Sequence, residues 1–298
     1  MNYDSLDWVL DRNFSIVASG KALKNASSIL RDVVDYGTNL FGRCLRENIK
    51  RREMVILMSY LHILEMADAA EVLMANSCIS PAILQCRSIF EGLLTLEYLT
   101  MAKDDVATDY LYHFLKRKME FFNFLDDSTK MGKSFREKLK KDKMLHRMNL
   151  PVPADIAQKK GDLQRILDEK KFEGTRLELQ KEKTKYPRWY QLRGGPKNLS
   201  ELAERMSRQG VYQYLYNFSS ETAHVYDLYR RYVKIDKGDV QIKPIRNANE
   251  LSIVANSSIA LTLEATRIII EYFRGEENVQ FGEWYVKKIR KRFMSLDR

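Results

Sequence analysis

The sequence contains few of the residues that make tight turns, with 13 glycines and 6 prolines in 298 residues. A protein with many short strands uses these residues at its turns, so their scarcity argues against a β fold. Apolar residues instead recur at helical spacing over long stretches. The sequence therefore predicts an all-α protein.

Cysteine is also scarce, because the chain has only Cys44, Cys78 and Cys86. The number is odd and no two follow a CxxC spacing, which excludes a disulfide framework and the usual zinc motifs. We expect three buried thiols.

Long apolar runs are missing, since no stretch of about 18 residues is uninterrupted by polar side chains. The start, MNYDSLDW, carries acids where a signal peptide has basic residues. We expect a soluble, cytoplasmic protein that does not use a membrane as a partner.

The net charge of +10 is concentrated in one segment, residues 127–197, where Lys and Arg outnumber Asp and Glu two to one. We predict that this segment is a basic, partly helical insertion within a single helical domain that spans 1–298. A nucleic-acid partner should first be sought there, although a charged segment is often only a solvated surface. The nucleic-acid-binding candidates combine cations with aromatic rings, and the same rings are equally suited to docking the insertion on the helical bundle: Lys140, Lys141, Arg188, Trp189, Tyr190 and Arg193.

The periodicity predicts a helical bundle outside this insertion. A small β-hairpin is expected near Lys237-Gly238-Asp239, within residues 233–245. Helices are predicted over about 5–16, 22–48, 50–76, 81–102, 105–126, 200–233, 250–274 and 277–294.

Residues 82–102 are apolar nearly all round, yet Arg87 and Glu91 lie in the middle of this predicted helix. Their spacing places both on one face, and a buried charge needs a partner. We expect the two side chains to face each other and a third polar group. The later helix offers one, because Tyr216, Ser220 and His224 follow each other at four-residue steps.

The sequence lacks the complete motifs of several kinds of functional site. Glu221-x-x-His224 is half of a di-iron motif, but the chain has no second copy. The chain also lacks a nucleophile elbow, a phosphate-binding glycine loop and a dinucleotide fingerprint. We therefore expect no cofactor and no metal, although a single divalent ion at Glu91 and His224 stays open.

Metal-independent RNA cleavage is the chemistry that the remaining residues allow. His224 would transfer a proton, and Arg87 would stabilise the charge on the scissile phosphate. Glu91, Ser220 and Tyr216 would orient these groups. The alternative is a polar network that only fixes the packing of two helices.

Two motifs, RSIFEG at 87–92 and YNFSSETAH at 216–224, resemble a bacterial family of uncharacterised helical proteins. This family shows Arg-x-x-x-Glu on one helix and Ser-x-x-x-His on a late one. It is similar to HEPN (higher eukaryotes and prokaryotes nucleotide-binding) and abortive-infection proteins, some of which are toxin or antiphage ribonucleases. The likeness covers roughly 50–125 and 200–275 and points to Arg87, Glu91, Ser220 and His224.

The resemblance implies a HEPN-like RNA-cleaving effector, acting as a toxin or in antiphage defence. The alternative is a non-catalytic module that binds nucleic acid or a protein. The expected partners are RNA or another nucleic acid, with a homodimer or a protein partner as alternatives.

Overall fold

The computed structural model describes residues 9–12, 20–145, 153–182, 184, 186–223, 232–236 and 239–296. The chain forms two compact units. The first unit contains the described residues up to Met101 and those from Leu199 onward, and the second runs from Ala102 to Asn198. The second unit thus contains the predicted insertion together with the helix before it. The assignment of a single domain stays a prediction.

The fold is all-α with one small antiparallel hairpin, as predicted. The helix ends agree with the predicted ones to within a few residues for most helices. The predicted helix 5–16 lies mostly outside the described residues, and 9–12 form turns rather than a helix. The α-helices are α1 (Gly20–Cys44), α2 (Arg51–Ala75), α3 (Ile79–Met101), α4 (Asp104–Leu125), α5 (Lys130–Lys141), α6 (Ile156–Asp168), α7 (Glu173–Lys181), α8 (Leu199–Arg205), α9 (Gln209–Ala223), α10 (Leu251–Phe273), α11 (Asn278–Trp284) and α12 (Lys291–Phe293).

Four helices, α1, α2, α3 and α10, form the core of the first unit. α2 packs against the other three, and α10 also packs against α1 and α3. α3 is contacted by α2, α9 and α10, which explains why its sequence is apolar nearly all round. A buried hydrogen bond joins α2 and α10 in this core, between the Tyr60 hydroxyl and Thr266 Oγ1 at 2.9 Å. The thiols of Cys44 and Cys86 are buried as expected, whereas Cys78 is half-buried.

The sequence predicts one continuous helix over 200–233, and this is wrong at one point. The helix is interrupted between α8 and α9. Ser207 adopts a left-handed conformation with φ 56°. The N–H of Arg208 donates to the carbonyl of Ala203, and that of Ser207 donates to Glu204. These two bonds define a Schellman ending, which usually has glycine at the left-handed position. A serine in this place carries no such signal in the sequence.

α10 is the one helix in the described part of the chain that is long and apolar enough to cross a membrane. In the structure, 61% of its most apolar window is buried, and the helix packs against α1, α2 and α3. A core helix of a soluble protein has the same composition. A soluble protein is therefore compatible with α10, and the cytoplasmic location stays a prediction.

The predicted hairpin is present as two short strands, β1 (Val233–Asp236) and β2 (Asp239–Ile242). They pair antiparallel, with Val233 opposite Ile242 and Asp236 opposite Asp239. The two turn residues between them lie outside the described residues.

The second unit is built around α4, which is contacted by α5, α6, α7 and the 3₁₀ turn Trp189–Gly194. Asp109 is a buried carboxylate of this unit, only 1% exposed. The Arg193 guanidinium binds this carboxylate through Nε at 2.7 Å and Nη2 at 3.1 Å. The Thr175 hydroxyl donates to it at 2.6 Å. A buried carboxylate is stable only when several groups bind it. The bonds from Arg193 and Thr175 therefore connect the later part of the unit to α4.

Thr129 is the N-cap of α5. Removing the Thr129 hydroxyl should destabilise the second unit. The Thr129 hydroxyl accepts the N–H of Gly132 at 2.9 Å and donates to the Asp126 carbonyl at 2.9 Å. Thr129→Ala should lower the free energy of unfolding by about 1 kcal/mol. Ser134→Ala on the exposed face of α5 is the control, and should change it little. Urea unfolding followed by circular dichroism measures both, and equal losses would contradict the capping role.

Candidate functional site

The contact predicted between the two motifs exists, and Tyr216 is the residue of α9 that makes it. The Arg87 Nε–H donates to Glu91 Oε1 at 3.0 Å along α3. The Tyr216 hydroxyl donates to the same oxygen at 2.5 Å. The Arg87 guanidinium carbon lies 4.1 Å from the centre of the Tyr216 ring. The three side chains therefore form one cluster, which we call the Arg87 cluster.

Tyr212 extends the Arg87 cluster by one helical turn. Its ring stacks on that of Tyr216, with ring centres 4.3 Å apart. The sequence analysis did not identify this residue, although its four-residue separation from Tyr216 predicts the contact. The Tyr216 ring thus contacts both the Tyr212 ring and the Arg87 guanidinium.

The expectation that Arg87 and Glu91 are buried is wrong. Their side chains are 30% and 41% exposed. α9 covers only part of this face of α3, so solvent reaches both charges. An open ion pair contributes little to stability, commonly less than about 1 kcal/mol. The need to satisfy buried charges therefore does not explain why these residues lie here.

Tyr216 stays protonated near neutral pH. Burial raises the pKa of its phenol well above the ordinary value, and the hydrogen bond and charge of Glu91 raise it further. Arg87 opposes this shift. The phenol is therefore a hydrogen-bond donor in this site and not a base.

The other two predicted residues of the site are less fully described. Ser220 lies on α9 one turn after Tyr216, and nothing is described of its side chain. His224 lies outside the described residues. Ser219, next to Ser220, is fully buried, and its hydroxyl has no hydrogen-bond partner among the described residues. The roles of Ser220 and His224 stay predictions.

The candidates of the basic segment lie within the second unit, and half of them are used in its packing. Trp189 and Tyr190 are buried, at 9% and 5% exposed. The Trp189 ring packs edge-on against Tyr110 of α4. Arg193 is bound to Asp109. These three side chains fit the docking alternative better than base stacking.

The remaining cations of this group are accessible. Arg188 is exposed, and it donates a hydrogen bond to the Tyr190 hydroxyl at 2.9 Å. Lys140 is 73% exposed and lies 3.3 Å from Glu137. Lys141 ends α5 and is exposed. These three present their charges to solvent, whereas Arg193, with 29% of its side chain exposed, is bound to Asp109.

An ion cluster in the first unit was not predicted from the sequence. Arg208 binds Glu97 of α3 through Nε at 3.1 Å and Nη2 at 2.5 Å, and Nη2 also reaches Glu264 of α10 at 2.5 Å. Arg267 holds Glu264 from the other side at 2.9 Å. Burial raises the pKa of Glu97, although Arg208 opposes the change. The cluster joins α3 and α10 to the linker before α9, and no local pattern in the sequence relates these three segments.

The second unit contains a pocket of about 730 Å³ that the sequence analysis also did not identify. It lies beside α4, whose sequence HFLKRKMEFFNF (113–124) alternates aromatic and basic residues. This mixture of rings and cations is the sequence signal of the pocket, and it lies on a helix predicted to belong to the bundle. The described residues contain no group of three or more His, Cys, Asp or Glu side chains arranged to hold a metal ion.

A family model described as a family of unknown function (DUF5677) matches residues 53–241, which is more than half of the chain. The match includes α3 and α9, and therefore Arg87, Glu91 and Tyr216. No curated protein and no solved structure gives a significant match.

Proposed function

The chain belongs to DUF5677, a family whose function is unknown, and we propose that it is a HEPN-like RNA-cleaving effector. Such a protein would serve as a toxin or in defence against phage. The observation that carries the proposal is the open Arg87 cluster, in which an arginine, a carboxylate and a protonated phenol meet on two helices. The predicted histidine lies eight positions after Tyr216 in the sequence.

The reaction would be attack of a ribose 2′-hydroxyl on the neighbouring phosphate. The bond from the 2′-oxygen to phosphorus forms, and the bond from phosphorus to the 5′-oxygen breaks. His224 takes the proton of the 2′-hydroxyl, and water or the protonated histidine supplies one to the leaving oxygen. The products are a 2′,3′-cyclic phosphate and a 5′-hydroxyl, so the reaction requires no metal.

Arg87 is suited to stabilise the phosphate in this reaction. The Arg87 side chain is 30% exposed, so its guanidinium can meet an anion from solvent. Glu91 and the Tyr216 ring hold the guanidinium plane in place. A fixed donor stabilises developing charge better than a mobile one, because it needs no reorganisation during the reaction.

The first experiment measures cleavage of end-labelled single-stranded RNA in the presence of EDTA. Arg87→Ala and His224→Ala should each lower the rate by about 100-fold or more. Arg290→Ala is the matched control, since Arg290 is exposed and lies outside the Arg87 cluster. Melting temperatures of all variants show whether each one is folded. The 2′,3′-cyclic end is identified by its resistance to phosphatase until acid opens the ring to a monophosphate.

Two outcomes would overturn the proposal. One is unchanged cleavage in both Arg87→Ala and His224→Ala, which would indicate a contaminating nuclease. The other is no cleavage by the wild-type chain on any RNA, including structured RNA such as transfer RNA.

The second candidate function is a non-catalytic module that binds nucleic acid or a protein. It is favoured by the contacts of Arg87, which already has an ion-pair partner and an aromatic partner. It is also favoured by the sequence, because HEPN ribonucleases carry the arginine and histidine close together on one helix, a spacing that this chain lacks. In this case His224→Ala should leave RNA binding unchanged and lower only the melting temperature.

A further inference from the structure

The pocket of the second unit is a concave site with a size typical of small-ligand sites. Its volume is about 730 Å³, within the range of roughly 300–1,000 Å³ for such pockets. One wall is α4, and the opposite wall includes Leu179 of α7 and residues 186–188. All lining residues belong to the second unit, so the pocket is distinct from the Arg87 cluster.

The charge of the pocket is positive. Lys116, Arg117 and Arg188 line it, are exposed, and form no ion pair with any carboxylate among the described residues. Of the two acids in the lining, Asp109 is neutralised by Arg193. Among the described lining residues, Glu120 is then the one carboxylate left to balance three cations. Such a site attracts an anion, and guanidinium groups are especially suited to phosphate.

The pKa of His113, which also lines the pocket, is affected by the same cations. Burial lowers the pKa of His113, and Arg117, Lys116 and Arg188 lower it further. His113 lines the pocket, so it is neutral near pH 7 and adds no charge there. An anion that entered the pocket would reduce the repulsion between these cations and a protonated His113.

Aromatic rings line the pocket beside the cations. Phe121 and Tyr186 are 58% and 65% exposed. Tyr112 lies deeper, with its ring 5.3 Å from that of Phe172. A flat heteroaromatic ring stacks well on exposed aromatic faces of this kind.

We propose that this pocket binds a nucleotide, with the base against the rings of Phe121 and Tyr186 and the phosphate against Arg117 and Arg188. The ligand is either a free nucleotide or one nucleotide unit of a single-stranded RNA, since both present a base joined to a phosphorylated ribose. Phosphate alone would use the cations but leave the rings exposed. A neutral aromatic compound would leave the cations without a counter-charge.

The experiment is isothermal titration calorimetry on the full chain with AMP, adenosine, inorganic phosphate and a short oligo(A) RNA. AMP should bind at least about tenfold more tightly than adenosine or phosphate, because only AMP uses both parts of the pocket. Arg117→Ala and Arg188→Ala should weaken AMP binding about tenfold, and Phe121→Ala should weaken AMP but not phosphate. Lys138→Ala is the matched control, since it removes an exposed cation of α5 outside the pocket.

A second measurement on the wild-type chain does not depend on the variants. The His113 ring protons, followed by NMR, should titrate at higher pH when AMP is bound, because the phosphate favours the protonated imidazole. An unchanged His113 titration at saturating AMP would place the ligand elsewhere and overturn the proposal.

The remaining outcomes are also decisive. Binding of AMP supports a free nucleotide as the ligand, whereas binding of oligo(A) alone, lost in Arg117→Ala, supports RNA. Equal weakening in Lys138→Ala, phosphate binding as tight as AMP, or no binding of AMP or RNA would overturn the proposal. Arg87→Ala should bind AMP like the wild type, so failure of RNA cleavage and failure of this pocket are measured separately.

Discussion

Arg208→Met is expected to lower the free energy of unfolding by about 3 kcal/mol at pH 7. Removing one partner of a buried ion pair commonly costs about 3–5 kcal/mol, because the other charge is left without compensation. The lower end applies here, since the Arg208 side chain keeps 30% of its surface exposed. The charge left without compensation is mainly that of Glu97, because its side chain is only 11% exposed.

The loss in Arg208→Met should depend on pH in a defined direction. Burial raises the pKa of Glu97 in the folded chain above its ordinary value of 4.5. A carboxyl of this kind binds protons more tightly in the folded state, so it favours folding below its unfolded pKa. That contribution is lost as the pH rises through the folded pKa. The deficit of Arg208→Met should therefore shrink as the pH falls from 7 toward about 5.

Urea unfolding of wild type, Arg208→Met and Arg290→Met over this pH range measures the effect. Arg290 is exposed, so its replacement should have little effect. Adding Glu97→Gln to Arg208→Met should restore part of the stability, because it removes the stranded charge. A deficit that stays constant with pH, or a double variant no better than the single one, would contradict the role of Glu97.

Leu57→Ala is expected to destabilise the first unit by about 2–5 kcal/mol. Leu57 is fully buried in α2, the helix that contacts α1, α3 and α10. Truncation removes apolar contacts and leaves a cavity that three surrounding helices cannot readily close. The effect should appear as a lower denaturation midpoint with little change in the slope of the transition.

Leu61→Ala provides the matched control four residues later on the same helix. Leu61 is 39% exposed, so the same truncation removes fewer contacts and leaves no closed cavity. Its cost should stay below about 1 kcal/mol. Because both changes remove the same atoms from the same helix, helix propensity cancels and the difference reports burial. Equal costs would mean that α2 is not the centre of this core.

The candidate site shows where sequence reasoning works and where it stops. The spacing of Arg87 and Glu91 predicted their contact, because residues four apart on a helix are neighbours. It did not predict their exposure, which depends on how much of α3 is covered by α9. Likewise, the aromatic and basic residues of 188–193 were visible as a group, but burial of Trp189 and Tyr190 depends on packing within the second unit.

The sequence by itself determined the helical class, the position of the hairpin and the ends of most helices. These features follow from periodicity and from local backbone preferences, which act over a few neighbouring residues. The sequence also determined that Arg87 and Glu91 would form a pair.

Only the tertiary structure decided which charges are joined across helices and which are left open. Arg208 meets Glu97 and Glu264 because α3 packs against both α9 and α10, and the pocket beside α4 exists because later segments fold back on that helix. Such contacts join residues far apart in the chain, and no local pattern in the sequence encodes the distance between them.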